Sequence, residues 1–193
     1  MLAPYVPEDV ARHIPPEHRD PEGLYATVRS SLCVIAYNTE MVKRQEAPKS
    51  FGDLLDPKWK GKIVKAHPSY SGTVMTSTYQ MVRELGWPYL EKLAQQQVLQ
   101  IQSATDTPKK IVIGERPVMA DGNESNVLLL KEAGGSIEVV YAAEGTPSII
   151  QPSAIFLAAP HPNAARLFQS YYSASKVRSC SSIRAACARS TCL

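Results

Sequence analysis

Residues 24 to 37 read LYATVRSSLCVIAY. The run holds no Gly or Pro and is dense in aromatic and β-branched residues, which favour a pleated, half-buried backbone. It predicts one long strand, bent at Ser30-Ser31, with Cys33 as a buried thiol in its apolar half. On its N-terminal side, Pro4, Pro7, Pro15, Pro16 and Pro21 predict an extended, turn-rich lead-in with at most a short helix near Glu8 to Arg12. On its C-terminal side, strands and helices are expected to alternate.

A short helix is expected from Thr39 to Val42. Another runs from Ser50 to Leu55, capped by Ser50 with Asp53 as reciprocal partner and stopped by Asp56-Pro57. Trp59 then packs ahead of a strand from Gly61 to Ala66. After Pro68 comes SYSGT (69 to 73), followed by a helix ending near Gly86 with Met75, Tyr79 and Val82 on one face. Pro88 opens a second helix with Tyr89, Leu90 and Leu93 inward. Val98 to Gln102 reads as a strand, and Thr107-Pro108 as the cap and first position of a helix closed at Gly114. Pro117 to Ala120 is a brief strand, Glu124 to Ala133 a helix, and Ile137 to Tyr141 and Ser153 to Leu157 further strands. Pro162 starts a last helix through Tyr172, with Ala165, Leu167, Phe168 and Tyr171 or Tyr172 available for packing. This order argues for an α/β fold with a mixed sheet.

Composition narrows the function classes. The chain has 193 residues, 44% of them hydrophobic, enough to bury a real core. No apolar run approaches the ~20 residues that span a bilayer, so membrane insertion is not expected. The net charge of +3 comes from the end of the chain. Residues 173 to 193 carry Lys176, Arg178, Arg184 and Arg189 and no acid, leaving 17 of the 21 basic groups against all 18 acidic ones. The body therefore has no basic field for nucleic acid. The same tail holds Cys180, Cys187 and Cys192, whose spacing without His matches no usual zinc pattern. It reads as a loose or marginally helical segment.

Catalytic and metal motifs are missing. There is no HExxH, CxxC, P-loop or GxGxxG, and DGNES (121 to 125) lacks the length of a calcium loop, so no metal or cofactor is expected. What stands out is Ser69-Tyr70-Ser71-Gly72-Thr73, between a strand end and a helix start. The first backbone N–H groups of a helix have no intrahelical acceptor, Gly72 permits close approach, and Ser71 and Thr73 add hydroxyls beside a Tyr70 wall. That combination suits a carboxylate, phosphate or sulfate; Ser71 as a simple cap is the plainer alternative. A second candidate is the turn holding Asp121 and Asn123 around Gly122, with Ser125 and Asn126 as further donors. Tyr37, at the end of the long strand, completes the candidate ligand set.

Five segments carry a family resemblance: LCVIAYNTEMV (32 to 42), SFGDLLDPKWKGKIV (50 to 64), PSYSGT (68 to 73), IVIGERPV (111 to 118) and EGTPSIIQPSAIFLAAPHPNAARLFQSYY (144 to 172). In this order they resemble bacterial extracellular solute-binding proteins of ABC importers, of the iron(III)-type class with the type 2 periplasmic-binding-protein fold. The resemblance covers about residues 20 to 172. It implies two α/β lobes joined by crossing strands, and a chain that starts part-way through lobe one. Residues 1–36 would be a lobe-one remnant with the crossing strand from Tyr25 to Ala36. Residues 37–140 would form lobe two, 141–172 the return segment, and 173–193 an atypical tail.

The resemblance further implies passive capture of a small anionic, phosphorylated or organic solute and its delivery to a membrane permease. The compartment would be the periplasm; a start without basic or apolar leader would instead leave the chain, as encoded, in the cytoplasm. Iron-binding members carry adjacent tyrosines beyond the GE motif, where this sequence has Glu124-Ser125, so ferric iron is not the expected solute. Tyr171-Tyr172 lies in the returning helix, where packing is expected. Two other readings stay open. One is a truncated fragment without function. The other is an α/β enzyme acting on a phosphorylated small molecule, which needs a base near Ser71 or Thr73, with His67 the local candidate.

Overall fold

The computed structural model describes residues 1–8, 11 and 20–173. The first of these hold strand β1 (Leu2–Ala3), and the long run becomes β2 (Tyr25–Asn38). Then follow β3 (Ile63–Ala66), α1 (Gly72–Leu85), α2 (Trp87–Gln95), β4 (Leu99–Ile101), α3 (Thr107–Val112), β5 (Val118–Asn123), α4 (Glu124–Glu132), β6 (Ile137–Val140), β7 (Ser148–Phe156) and α5 (Pro162–Ser173). Two compact units result. One is Ser31–Ile149; the other combines Met1–Ser30 with Ile150–Leu193. The expected segmentation put boundaries at 37 and 140. The expected tail and the short helix near Glu8 to Arg12 fall largely outside the described residues.

The Ser31–Ile149 unit is an α/β layer fold. Its sheet runs β6-β2-β5-β3-β4, with β3 parallel to both β4 and β5, and β2 antiparallel to β5 and β6. The sheet is mixed, as the alternation of elements anticipates. The register of β2 against β5 shifts between Val34 and Ala36, a bulge that turns the strand. Alternate residues of β2 feed opposite faces. Ile35 and Tyr37 join Phe51, Leu54, Trp59 and Met81 on one side; Val34 and Ala36 join Val64, Ile111, Met119 and Val127 on the other. Cys33 is fully buried, and burial pushes its thiol up to about 12.

Several local expectations shift. Thr39 to Val42 forms turns: the Asn38 side-chain carbonyl accepts from Glu40 N and Met41 N, an Asx-type alternative to a helix start. Ser50 does accept from Asp53 N (3.0 Å), yet the Asp53 carboxylate reaches back to Lys49 N (2.8 Å), and the element is a one-turn 3₁₀ helix over Gly52–Leu55. The Lys49 N–H first, then the Ser50 hydroxyl and N–H, hold the Asp53 carboxyl below the usual range. The cap of α3 is Asp106; Thr107 instead donates to Ala104 O (3.0 Å). β5 extends through Asp121-Gly122-Asn123, which therefore belong to a central strand.

The face of α1 is the larger correction. Val74, Ser77 and Met81 are buried, whereas Met75 and Tyr79 are 55% and 66% exposed. The spacing of three and four is right for a helix, but the inward stripe lies one position away from the expected one. In α5 the expected packing residues also face outward: Leu167, Phe168, Tyr171 and Tyr172 are all exposed, and the buried side chains are Gln169 and Ser173.

Candidate functional site

Parallel strands deliver the site. In a βα unit the chain leaves the carboxyl end of a strand and enters a helix, so neighbouring parallel strands gather helix starts at one edge. Here β3, β4 and β5 do so. After β3, His67 Nδ1 accepts from Ser69 N (3.1 Å) and caps a 3₁₀ turn over Pro68–Tyr70. Ser71, in extended conformation, then caps α1, its Oγ accepting from Val74 N (3.4 Å). After β5, Asn123 caps α4 by accepting from Ser125 N (3.2 Å) and Ser125 Oγ (2.9 Å). After β4, Ser103 Oγ accepts from Thr105 N (3.1 Å) and shapes the loop between.

These three connections line one pocket of about 390 Å³, formed by Tyr70, Ser71, Thr73, Gln102, Ser103, Ala104, Thr105, Asn123 and Asn126. None of these side chains is formally charged. The N-termini of α1 and α4 both contribute to the lining. Each carries partial positive charge from backbone N–H groups without an intrahelical partner, so an anion gains from both. Gly72 opens α1, and a Cβ placed on it would meet nothing within 4 Å. Protein packing therefore does not require glycine there. Tyr70 is 66% exposed, its ring tilted against His67 at 5.3 Å.

The sequence candidates divide. The structure brings Tyr70, Ser71, Thr73 and Asn123 together around the pocket, with Gly72 between two of them. It keeps two others apart. Tyr37 is 3% exposed and packs in the apolar core. Asp121 is fully buried, paired with Lys65, and accepts from Ala66 N (3.2 Å). Both were expected to face ligand. Asp121 and Asn123 stand two apart on β5 and so share a face; Asp121 lies within the sheet against Lys65, whereas Asn123 is the last residue of the strand and lines the pocket. Gln102, Ser103 and Thr105 were not anticipated. Their signal was the short strand before them: in an α/β order, the loop after a parallel strand opens on the same edge as its neighbours.

His67 does not line the pocket; its Nδ1 is engaged with Ser69 N. Glu124, where the resemblance led one to look for a tyrosine pair, is buried and accepts a hydrogen bond from the Tyr141 hydroxyl, and Ser125 is held by Asn123. Among the described residues no group of three or more His, Cys, Asp or Glu is placed to hold a metal ion.

Comparison with solved structures places this geometry in a fold. The periplasmic binding protein P5PA superposes with a TM-score of 0.81 at 24% identity, covering 92% of this chain and 59% of its own. AfuA from Actinobacillus pleuropneumoniae, solved with fructose-6-phosphate, gives 0.81 at 26%, covering 92% and 58%. Iron-bound HitA from Pseudomonas aeruginosa gives 0.78 at 22%, covering 95% and 61%. The chain thus spans about three fifths of the length of these proteins. No curated protein matches it. The fold is that of type 2 periplasmic binding proteins, with one full and one partial lobe, and these are non-catalytic proteins. The family model described as "Bacterial extracellular solute-binding protein" matches residues 2–186, and the chain belongs to that family.

Proposed function

We propose that this chain binds a small solute carrying an anionic group at the pocket above β3, β4 and β5, as the solute-capturing component of an ABC-type importer. The observation that carries the reading is the convergence of the α1 and α4 N-termini on a pocket lined by hydroxyls and amides with no charged side chain. Backbone N–H groups and fixed dipoles bind an anion without a lysine or arginine that would retain it by long-range attraction. Tyr70 supplies a flat apolar wall, and Gln102, Ser103, Asn123 and Asn126 supply orientation. No bond is made or broken; capture and presentation to a permease suffice, with ATP hydrolysed on the partner. The compartment consistent with this role is extracytoplasmic.

A titration calorimeter tests the reading with inorganic phosphate, fructose-6-phosphate, a phosphonate and simple carboxylates. Saturable heat with at least one is expected. Gly72→Val should weaken that binding about tenfold or more without lowering the melting temperature, since the Cβ it adds meets no protein atom within 4 Å. Silence across the panel leaves the inert-fragment reading in its place. Binding untouched by Gly72→Val and Asn126→Ala together locates the solute elsewhere.

A further inference from the structure

Of the stretch Asp121-Gly122-Asn123, only Asn123 lines the pocket. The other two residues stay out of it, yet their contacts reach the connections that form it. The Asp121 carboxylate pairs with Lys65 and accepts from the N–H of Ala66 (3.2 Å), the last residue of β3. Its backbone carbonyl stands 3.5 Å from the Thr107 hydroxyl, which donates to Ala104 O (3.0 Å) in the loop after β4. Asn123, two residues further on, caps α4. One residue of the central strand therefore joins the exits of β3 and β4, and its own strand supplies the third connection.

Packing closes the same joint. Asp121 and Thr107 are both fully buried. A Cβ on Gly122 would lie 2.5 Å from Met119 Sδ and 3.1 Å from Thr107 Oγ1, so the strand is glycine where the thioether and the hydroxyl press on it. Ala104, which lines the pocket, shares one apolar cluster with Ala66 and Val74. Val74 belongs to the first turn of α1, where its N–H bonds Ser71 Oγ (3.4 Å). The loop after β4 thus rests on the end of β3 and the start of α1. Loops open more readily than the strands they connect. A site built from loop hydroxyls and helix-start amides needs supporting groups to hold its donors in the binding arrangement.

We infer that Thr107 and Asp121 are positioning residues of the pocket, a buried clasp that locks the connections after β3, β4 and β5 together so that a solute meets preformed donors. Neither side chain lines the pocket, and neither touches the solute. For its effect on a solute this rests on the function proposed above; for the order of the loops it stands alone.

Amide hydrogen exchange on the full 193-residue chain, read by mass spectrometry without ligand, tests the clasp. Thr107→Val keeps the shape and removes the donor, whereas Thr107→Ser keeps the donor. In Thr107→Val the segments 66–74 and 102–107 should exchange about tenfold faster or more, while 32–38 in β2 keeps its rate. Thr107→Ser should retain the slow rates. K65M/D121L, which removes both charges together, should speed exchange in 66–74 by a similar factor. Calorimetric binding of inorganic phosphate or fructose-6-phosphate should weaken about tenfold in Thr107→Val and stay within about twofold of the parent in Thr107→Ser. Loop rates that follow the hydroxyl, in a parent chain that binds neither phosphate, support the clasp and overturn the solute reading alone. If Thr107→Val does not fold, the 66–74 rate in K65M/D121L decides. Three results overturn the clasp. One is unchanged exchange in these segments in both variants. Another is equal acceleration in 32–38, which makes the hydroxyl a general contributor to stability. The last is phosphate affinity that Thr107→Val leaves intact although the loops have loosened.

Discussion

Replacing Asp121 with Ala asks whether the carboxylate serves the ligand or the fold. Its side chain is 0% exposed and that of Lys65 is 9% exposed; the two form a buried ion pair. Asp121 also accepts from Ala66 N, at the end of β3. The substitution leaves an ammonium buried without its counter-ion and an amide without its acceptor. Breaking a buried pair in this way costs about 3–5 kcal/mol, a large share of the roughly 5–15 kcal/mol that holds a domain folded. With a urea slope of about 2 kcal/mol per molar, the midpoint should fall on the order of 2 M. The assay is built in. Both tryptophans, buried Trp59 and exposed Trp87, lie in the Ser31–Ile149 unit, so the fluorescence shift reports this unit. Replacing both partners, Lys65→Met with Asp121→Leu, should recover most of the loss, since an apolar pair leaves no orphaned charge. A single Asp121→Ala variant that loses less than about 1 kcal/mol refutes the ion-pair account.

Other consequences are equally concrete. Met81→Ala should cost about 2–5 kcal/mol in the same urea assay while Met75→Ala stays within about 0.5 kcal/mol, because one side chain is buried and the other faces solvent. A Cβ on Gly135 would lie 2.8 Å from Leu130 O and 3.1 Å from Val112, so Gly135→Ala should destabilise by about 1–3 kcal/mol; an unchanged melting curve contradicts the packing described. Cys33, in a chain with Cys180, Cys187 and Cys192 each changed to Ser, should resist a thiol reagent at about pH 8 and react only on unfolding. Its thiol rises from 9.0 to about 12 on folding, so the folded state holds the proton more tightly. That contribution is fully present below pH 9 and is lost as pH rises towards 12; alkaline stability that does not fall across this window, relative to Cys33→Ala, counts against it.

Much of this molecule is legible locally. The strand from Tyr25, the ends of α1 at Ser71 and Gly86, and the stop of α4 near Gly134 follow from short-range chemistry: a hydroxyl accepts a helix N–H, and Gly86 and Gly134 take φ of +79° and +88°, where side chains are strained. The order of strands and helices, with the SYSGT stretch between two of them, likewise points to an α/β body with a helix-start site. Those signals lie within a few residues of the features they specify.

Other features needed distant parts of the chain to meet. Periodicity says which residues of α1 share a side, but its inward side depends on where the helix rests, and Met81 took the place expected for Met75 and Tyr79. Asp121 looked like a ligand until Lys65, far away in sequence, was found paired with it beneath the sheet. The loop from Gln102 to Thr105 entered the site only because β4 lies parallel to β3. Local chemistry sets the conformation of a segment, whereas burial and neighbourhood are set by what packs against it; here the elements were written in the sequence and the pocket arose from their assembly.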